Sequence, residues 1–591
     1  MALKSIKPQK KTKYQPFYVI PFILLLIIFP VLFLSITISN PLTNTTWYTT
    51  QAFLNDMFLV IKKYALYVIT AIMCMIFLFD INLNYKNTGL SKKDYLHFIP
   101  LGFYIILVVL STCFSIMPSL STSGMPDLQE PLFVLLGYTI ICFYSYWFFT
   151  QTNRYKQVFF FLYIGIALAG IFCFLQFIGI DPIRLAFPTA TLTFQNSYIY
   201  GTFYNSNYAG GYAAMMLPVT IFLFCYGLLE AKHRFLHIII SIILSLLLLL
   251  TLIGSNSAGG MIGISVALLL GVLLTLFKHF HLSFKHTLIT LACIFVFTII
   301  GSITSLSIMN INHTADEKSL EAIYTNDTNL EFHYNNHILF ITAQTDESDF
   351  YLNCTDENNK KIDTYISDEA FYFSDARFTD VHITPLMFSD LNNLVGFTIS
   401  LKDSGWNFTN ATDGTYYFIT PNGSLVKLTS DTSAPYALCN NIPELFSERG
   451  YIWSRTLPLM ENTLFLGSGP DTFGLKFPND DYVNAYRNNY YNILVIKPHN
   501  FFLQMIVQTG FLSFLAFTVF YIWYFVSSLR FIFAGTRYTP ASLLCLFLLL
   551  GTISYLVTGI VNDSCIAVTP FFWFMLGAGF SIVHNSNFIK C

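Results

Sequence analysis

Apolar runs near the length of a bilayer crossing recur from one end of this chain to the other. They lie near 17–39, 60–80, 96–116, 131–150, 157–178, 209–229, 235–254, 259–277, 286–306, 501–528, 541–561 and 566–584. A helix needs about 20 predominantly apolar residues to cross the hydrocarbon core. The runs therefore predict an all-α polytopic membrane protein with about twelve transmembrane helices. Only 11% of the 591 residues are charged, against about 25% in soluble domains. A net charge of −2 carries no basic footprint for nucleic acid.

Charge in the short loops orients the bundle. Lys4, Lys7, Lys10, Lys11 and Lys13, then Lys86, Lys92 and Lys93, Arg154 and Lys156, Lys232 and Arg234, Lys278 and Lys285, Arg530 and Arg537, and Lys590 fall on alternate loops. Cytoplasmic loops carry the excess of Lys and Arg, so both termini are expected in the cytoplasm. The first run is too long for a signal-peptide core, and no A-x-A site follows it. Lys62 and Lys63 break the pattern at the outer end of the second run, where they would snorkel or meet a lipid phosphate. The same parity puts 179–208, the turn Gly254-Ser255-Asn256-Ser257, the long loop 307–498 and Asn562-Asp563 on the extracytoplasmic side.

The long loop changes pattern from about 315 to 430. Leu330-Phe332-Tyr334, Asn335-Asn336 and Leu339-Ile341 read as a hairpin. So do Thr415–Ile419, Pro421-Asn422-Gly423 and Leu425–Leu428, because Asn-Gly between β-rich runs is a strong hairpin signal. A small extracytoplasmic β-rich domain, sandwich-like, is expected. The resulting division is a transmembrane bundle at 1–306, a β-rich insertion at 307–442, an outer-loop segment with a membrane-surface helix at 443–500, and a second bundle at 501–591. The 11 cysteines show no CxxC spacing. A bridge between Cys354 and Cys439, both in the polar loop, is one option.

Polar chemistry gathers between Arg449 and Gly510. His499 follows Pro498 at the mouth of a hydrophobic run, and a neutral imidazole accepts a proton near pH 7 without special tuning. Arg449 and Arg455 offer guanidinium forks that suit phosphate, although at about 100° per residue they lie roughly 120° apart around a helix and need not face one ligand. Gly467-Ser468-Gly469-Pro470 is either a tight turn or a nest of N–H groups for an anion. Asn205 and Asn207, before the run at 209, would hydrogen-bond a sugar, while Asn207 would equally cap the helix. The Ser257-Ala258-Gly259-Gly260 turn reads as small residues for close helix packing. No Asp, Glu, His or Cys cluster has metal-ligand spacing, so neither metal nor cofactor is expected.

In order, these pieces resemble the O-antigen ligase and polymerase family of bacterial membrane glycosyltransferases. The resemblance rests on Leu175-Gln176-Phe177-Ile178-Gly179-Ile180-Asp181-Pro182, Gly201-Thr202-Phe203-x-Asn205-x-Asn207, Arg449…Trp453, Leu466-Gly467-x-Gly469…Phe473 and His499-Asn500-x9-Gly510, covering about 160–280 and 445–520. It implies a donor glycan on undecaprenyl pyrophosphate, with His499 activating the acceptor hydroxyl and Arg449 gripping the pyrophosphate. It groups Asn500 with the substrate-binding residues. One departure matters: the family's Ser-Arg-Gly turn reads Ser257-Ala258-Gly259 here, and Arg455, Arg184 or Lys62 and Lys63 would have to replace the missing arginine. The acceptor is a growing glycan (polymerase, favoured), a lipid core (ligase) or a protein serine (oligosaccharyltransferase). The rival class is a transporter or flippase of lipid-linked sugars, which would place polar groups at mid-membrane depth. Here they collect at one side. The expected location is the cytoplasmic membrane, with membrane lipids as neighbours.

Overall fold

A computed structural model describes residues 15–584 except 44, 46–51, 85–91, 189–197, 230–232, 282–283, 293–319, 347–348, 389–393, 403, 411–412, 430–433, 441 and 491–492. Among these residues nine helices are long and apolar enough to cross a membrane: Leu59–Asn82, Tyr95–Cys113, Leu132–Thr152, Tyr155–Phe177, Ser206–Leu229, Arg234–Gly254, Ala258–His279, Phe511–Ile532 and Pro540–Thr558. Pro16–Val31 and Thr569–His584 are shorter apolar helices. The chain is a multi-pass, mostly helical membrane protein with a separate β-rich region.

The run at 566–584 forms only the shorter helix Thr569–His584, and two further runs differ for identifiable reasons. The run at 17–39 is helical only to Val31. The chain turns extended at Leu32, and Ile36–Ser39, rich in β-branched residues, pairs antiparallel with Phe53–Asp56. The run at 501–528 is two helices, Phe501–Thr509 and Phe511–Ile532, because Gly510 takes φ 98° and ψ 154° between them. Only glycine adopts that backbone readily. The expected span at 286–306 lies mostly outside the described residues.

Inner and outer helices have different surfaces. Pro540–Thr558 and Thr569–His584 are buried almost all round, so their sequences are apolar on every face. Arg234–Gly254 and Ala258–His279 bury only one stripe. The Ser257 turn is a packing element. Ser257 Oγ accepts from the Gly260 N–H at 3.2 Å, and Gly210, Gly259, Gly260 and Gly263 permit backbone approaches that a Cβ would block.

The β-rich region spans residues 320–426. Four strands from Leu320 to Asp356 and seven from Thr364 to Val426 form two antiparallel meanders, each strand beside its sequence neighbour. They bury one shared core, with Phe332, Leu339 and Ile341 of the first sheet against Ile399, Trp406 and Phe408 of the second. Both expected hairpins form. Tyr334 pairs with His337 across Asn335-Asn336, at φ 51° and 59°, the positive pair that a two-residue turn requires. Phe418 pairs with Val426 around Gly423. Tyr482, Val483 and Tyr486 of the following segment cover the sandwich. Cys354 and Cys439 are free thiols, so the bridge does not form.

Candidate active site

The Arg449–Gly510 stretch folds against one end of the helix bundle. Leu445–Leu459 is a helix, as its pattern predicts. Its Trp453 Nε1 donates to the Pro498 carbonyl at 3.0 Å, fastening Arg449, one turn away, to the loop that carries His499. The side chain of Asn500 accepts from the N–H groups of Phe502 (3.0 Å) and Leu503 (2.9 Å) and donates to the Ile560 carbonyl at 2.8 Å. Asn500 is thus the N-cap of Phe501–Thr509, and its amide is committed to structure.

His499 takes φ 49°, an uncommon left-handed position for a residue with a side chain. Its Nδ1 lies 2.9 Å from Asp563 Oδ2. The His499 side chain is 40% exposed and that of Asp563 1% exposed. One ring edge thus faces a buried carboxylate and the other faces outward. This is a charge contact, since neither Asp563 oxygen has an aligned hydrogen-bond donor among the described residues. Burial pushes the Asp563 carboxyl up, but His499, Lys497 and Arg449 together outweigh it and hold the group below the ordinary carboxylate range. Three cationic or cation-forming side chains therefore surround one buried anion.

Arg449 Nη1 donates to the Phe446 carbonyl at 2.5 Å, and its buried Nε has no partner among the described residues. Burial lowers its affinity for its proton, and Asp563 opposes that. Lys497 is nearly buried. Its Nζ donates to the Asp127 carbonyl at 2.7 Å and sits 4.9 Å and 5.7 Å from the ring centres of Tyr204 and Tyr208. The Gly201–Tyr208 segment thus meets the site through tyrosines. Its Asn205 Oδ1 accepts from the Asn207 N–H at 2.8 Å, so Asn205, and not Asn207, caps the helix that begins at Ser206.

Other sequence candidates are placed elsewhere or already spent. Arg455 is buried, donates to Asn440 Oδ1 (2.5 Å) and Ser454 Oγ (2.8 Å), and stacks over Tyr451 at 4.7 Å. It pins the incoming chain to the Arg449 helix. Arg184 lies 3.8 Å from Asp181 on the short helix Pro182–Ala186. Lys62 Nζ donates to the carbonyls of Leu32 (2.5 Å) and Thr202 (2.9 Å). Lys63 Nζ donates to Ser123 O and Gln129 Oε1, both at 2.6 Å. Both lysines are buried, so they neither snorkel nor present a free charge to lipid. The glycine turn is no open nest. The N–H groups of Ser468 and Gly469 donate to the Val507 and Gln508 carbonyls, each at 2.9 Å. A Cβ on Gly467 would fall 2.2 Å from the Gln508 carbonyl, and one on Gly469 2.1 Å from Ser115 Oγ.

That turn nevertheless supports the site. Asp471, buried, accepts from the N–H groups of Met125 (3.0 Å) and Glu130 (2.8 Å). It shapes a loop in which Asp127 and Gln129 both have positive φ. Glu130 then accepts from Tyr138 and, at 2.9 Å, from Ser564 Oγ. The Ser564 N–H donates to Gln504 Oε1 at 2.8 Å. Asp563 is thereby anchored through its neighbour Ser564. Burial pushes Glu130 up to about 8 and Asp471 up to about 7. Sequence reading passed over Asp563 and Lys497. A signal existed for Asp563, since it is the one acidic residue after Asp481, standing alone between two apolar runs.

The whole chain matches neither a curated protein nor a solved structure. Residues 432–518, which contain Arg449, Lys497 and His499 but not the β-rich region, match the family model of the O-antigen ligases. The resemblance read from the sequence is to that family, and the matched segment lies among the helices of a multi-pass membrane protein.

Proposed function

We propose that the protein transfers an oligosaccharide from a lipid pyrophosphate carrier to an acceptor hydroxyl on the extracytoplasmic face of the cytoplasmic membrane. The supporting observation is the exposed His499 ring set on buried Asp563 beside Arg449 and Lys497, within an O-antigen ligase domain. With Nδ1 turned to Asp563, Nε2 is the outward nitrogen. It takes the proton from the acceptor hydroxyl, and Asp563 stabilises the imidazolium that forms. The acceptor oxygen bonds to the anomeric carbon as that carbon's bond to the phosphate oxygen breaks. The electron pair leaves with the pyrophosphate. Arg449, with its unpartnered Nε, and Lys497 are the cations nearest that leaving group, and fixed charge in a dry site stabilises it without reorganisation. The residues act without a metal in this scheme. The favoured carrier is undecaprenyl, and the favoured acceptor is another growing glycan, which makes the protein a polymerase; a lipid acceptor would make it a ligase.

The test follows lipid-linked donor in cells whose sole copy carries His499→Ala. The expected result is donor accumulating on the outer leaflet with the protein inserted at normal levels. Donor accumulating on the inner leaflet would replace this reading with a flippase.

A further inference from the structure

A cavity of about 400 Å³ opens between the β-sandwich and the segment that matches the O-antigen ligase family. That is within the 300–1,000 Å³ range of small-molecule sites. The sandwich contributes Asn407 and Phe418, and the segment before His499 contributes Tyr482, Tyr490 and Val495, with Tyr451 behind them. Aromatic faces with a few fixed amides suit a ligand that alternates C–H faces and hydroxyls. Tyr451 and Tyr490 stack at 4.9 Å and 29°, and Tyr490 Oη donates to the Glu448 carbonyl at 3.1 Å, so this wall is rigid. Asn407 Oδ1 accepts from Thr398 Oγ1 at 2.7 Å, which leaves its Nδ2 hydrogens as donors. Asn479 is locked by the Val495 N–H (2.9 Å) and the Gly474 carbonyl (3.0 Å), so it shapes the wall and is not itself a ligand group.

The cavity is tied to the catalytic groups by covalent distance. Val495 precedes His499 by four residues, which span at most about 14 Å of extended chain. Tyr451 and Arg449, two residues apart, leave opposite faces of their helix, but Tyr490, which lines the cavity, lies within electrostatic reach of Arg449. A polymer held in the cavity is therefore close enough to continue to the His499 ring. We infer that this cleft between Asn407 of the sandwich and Tyr490 of the catalytic segment binds an oligosaccharide stretch of one glycan substrate, which gives the β insertion a role in substrate selection. This rests on the glycosyltransferase reading above. Donor and acceptor glycans share the chemistry, and kinetics separates them.

The probe is the free oligosaccharide released by mild acid from the cell's own lipid-linked donor, titrated calorimetrically into the full-length protein in detergent. Ala485 also lines the cavity, so Ala485→Trp places an indole in the cleft, and Asn407→Ala removes one donor. Ala485→Trp should weaken binding at least tenfold. Asn407→Ala should weaken it a few-fold to about tenfold, as for one lost neutral hydrogen bond. In transfer assays both should raise KM for one substrate, donor or acceptor, with kcat unchanged, and the substrate affected identifies the occupant. Ala485→Trp is judged only if it elutes monodisperse with a native Tm; otherwise Asn407→Ala decides. Native binding by the folded variants, no binding by the unaltered chain, or a fall in kcat at constant KM would overturn the assignment. Binding that Ala485→Trp abolishes in a chain that transfers no glycan would uphold the cleft while removing the proposed reaction. His499-dependent transfer that neither variant alters would do the reverse.

Discussion

Replacing Asp563 by Asn keeps the size of the side chain and removes the charge facing His499 Nδ1. A neighbouring opposite charge favours the charged form of a group by about 1–3 pKa units, at about 1.4 kcal/mol each, so Asp563→Asn should lower kcat about 10–100-fold with KM for the donor little changed. An unchanged kcat would make the contact incidental. Glu130 gives a pH test. Its folded pKa, about 8, lies above the ordinary 4.5 because burial disfavours the anion. The folded state therefore holds a proton that the unfolded chain releases between those values. Stability from this group is full below about pH 4.5 and is lost as pH rises to about 8. Asp471, raised to about 7, acts in the same direction. Glu130→Gln should flatten the fall in Tm between pH 5 and 9, and an equal fall in variant and parent would contradict the assignment. His499 and Arg449 stood out as candidates because a neutral imidazole accepts a proton near pH 7 and a guanidinium fork suits phosphate. Asp563 did not, because its partner stands three helices earlier and no local pattern joins them. Arg455 looked like Arg449 in sequence. Only the fold shows its Nη1 held by Asn440 and Ser454 and its guanidinium set over Tyr451, on a different face of the helix from Arg449.

The half-helix Phe501–Thr509 is the element that sets His499 in place. Its N-terminus is capped by Asn500, and its last carbonyls accept from Ser468 and Gly469. Gly510 ends it in a backbone region that costs other residues about 1–3 kcal/mol, and a Cβ there would lie 2.7 Å from the Phe465 carbonyl. Gly510→Ala should therefore lower Tm and glycan transfer together, and an unchanged Tm would contradict a strained break at this position. Hydropathy merged this half-helix with the next span, since both sides of Gly510 are apolar. In the same way it extended the first helix through Ile36–Ser39. The hairpins were legible because Asn-Asn and Asn-Gly impose positive φ locally. Their assembly into a sandwich was only partly so, because Tyr482 and Tyr486 that cover it come from beyond the insertion. Residues 315–430 alone should give a β-type circular dichroism spectrum, with a lower Tm than a fragment extended to 490. A disordered spectrum from both fragments would contradict an autonomous sandwich.

Across the molecule, loops from four parts of the chain meet at one end of the bundle: 124–130, 201–208, 497–500 and 562–564. Charge alternation in the loops predicts that this end faces outside, as the proposed reaction requires. Cysteine accessibility in intact cells should label position 400 from outside, and labelling only after permeabilisation would reverse the orientation. The sequence carried the helix framework at whole-molecule scale because bilayer thickness fixes span length. It did not carry the convergence of those loops, which depends on tertiary packing. The most direct measurement is glycan transfer from purified lipid-linked donor by the purified protein in detergent, with a chelator present. General-base catalysis contributes roughly 10²–10⁴-fold. The unaltered chain should therefore transfer glycan and release the lipid pyrophosphate, and His499→Ala should do so slower by that factor. Near-native transfer by His499→Ala would contradict the account.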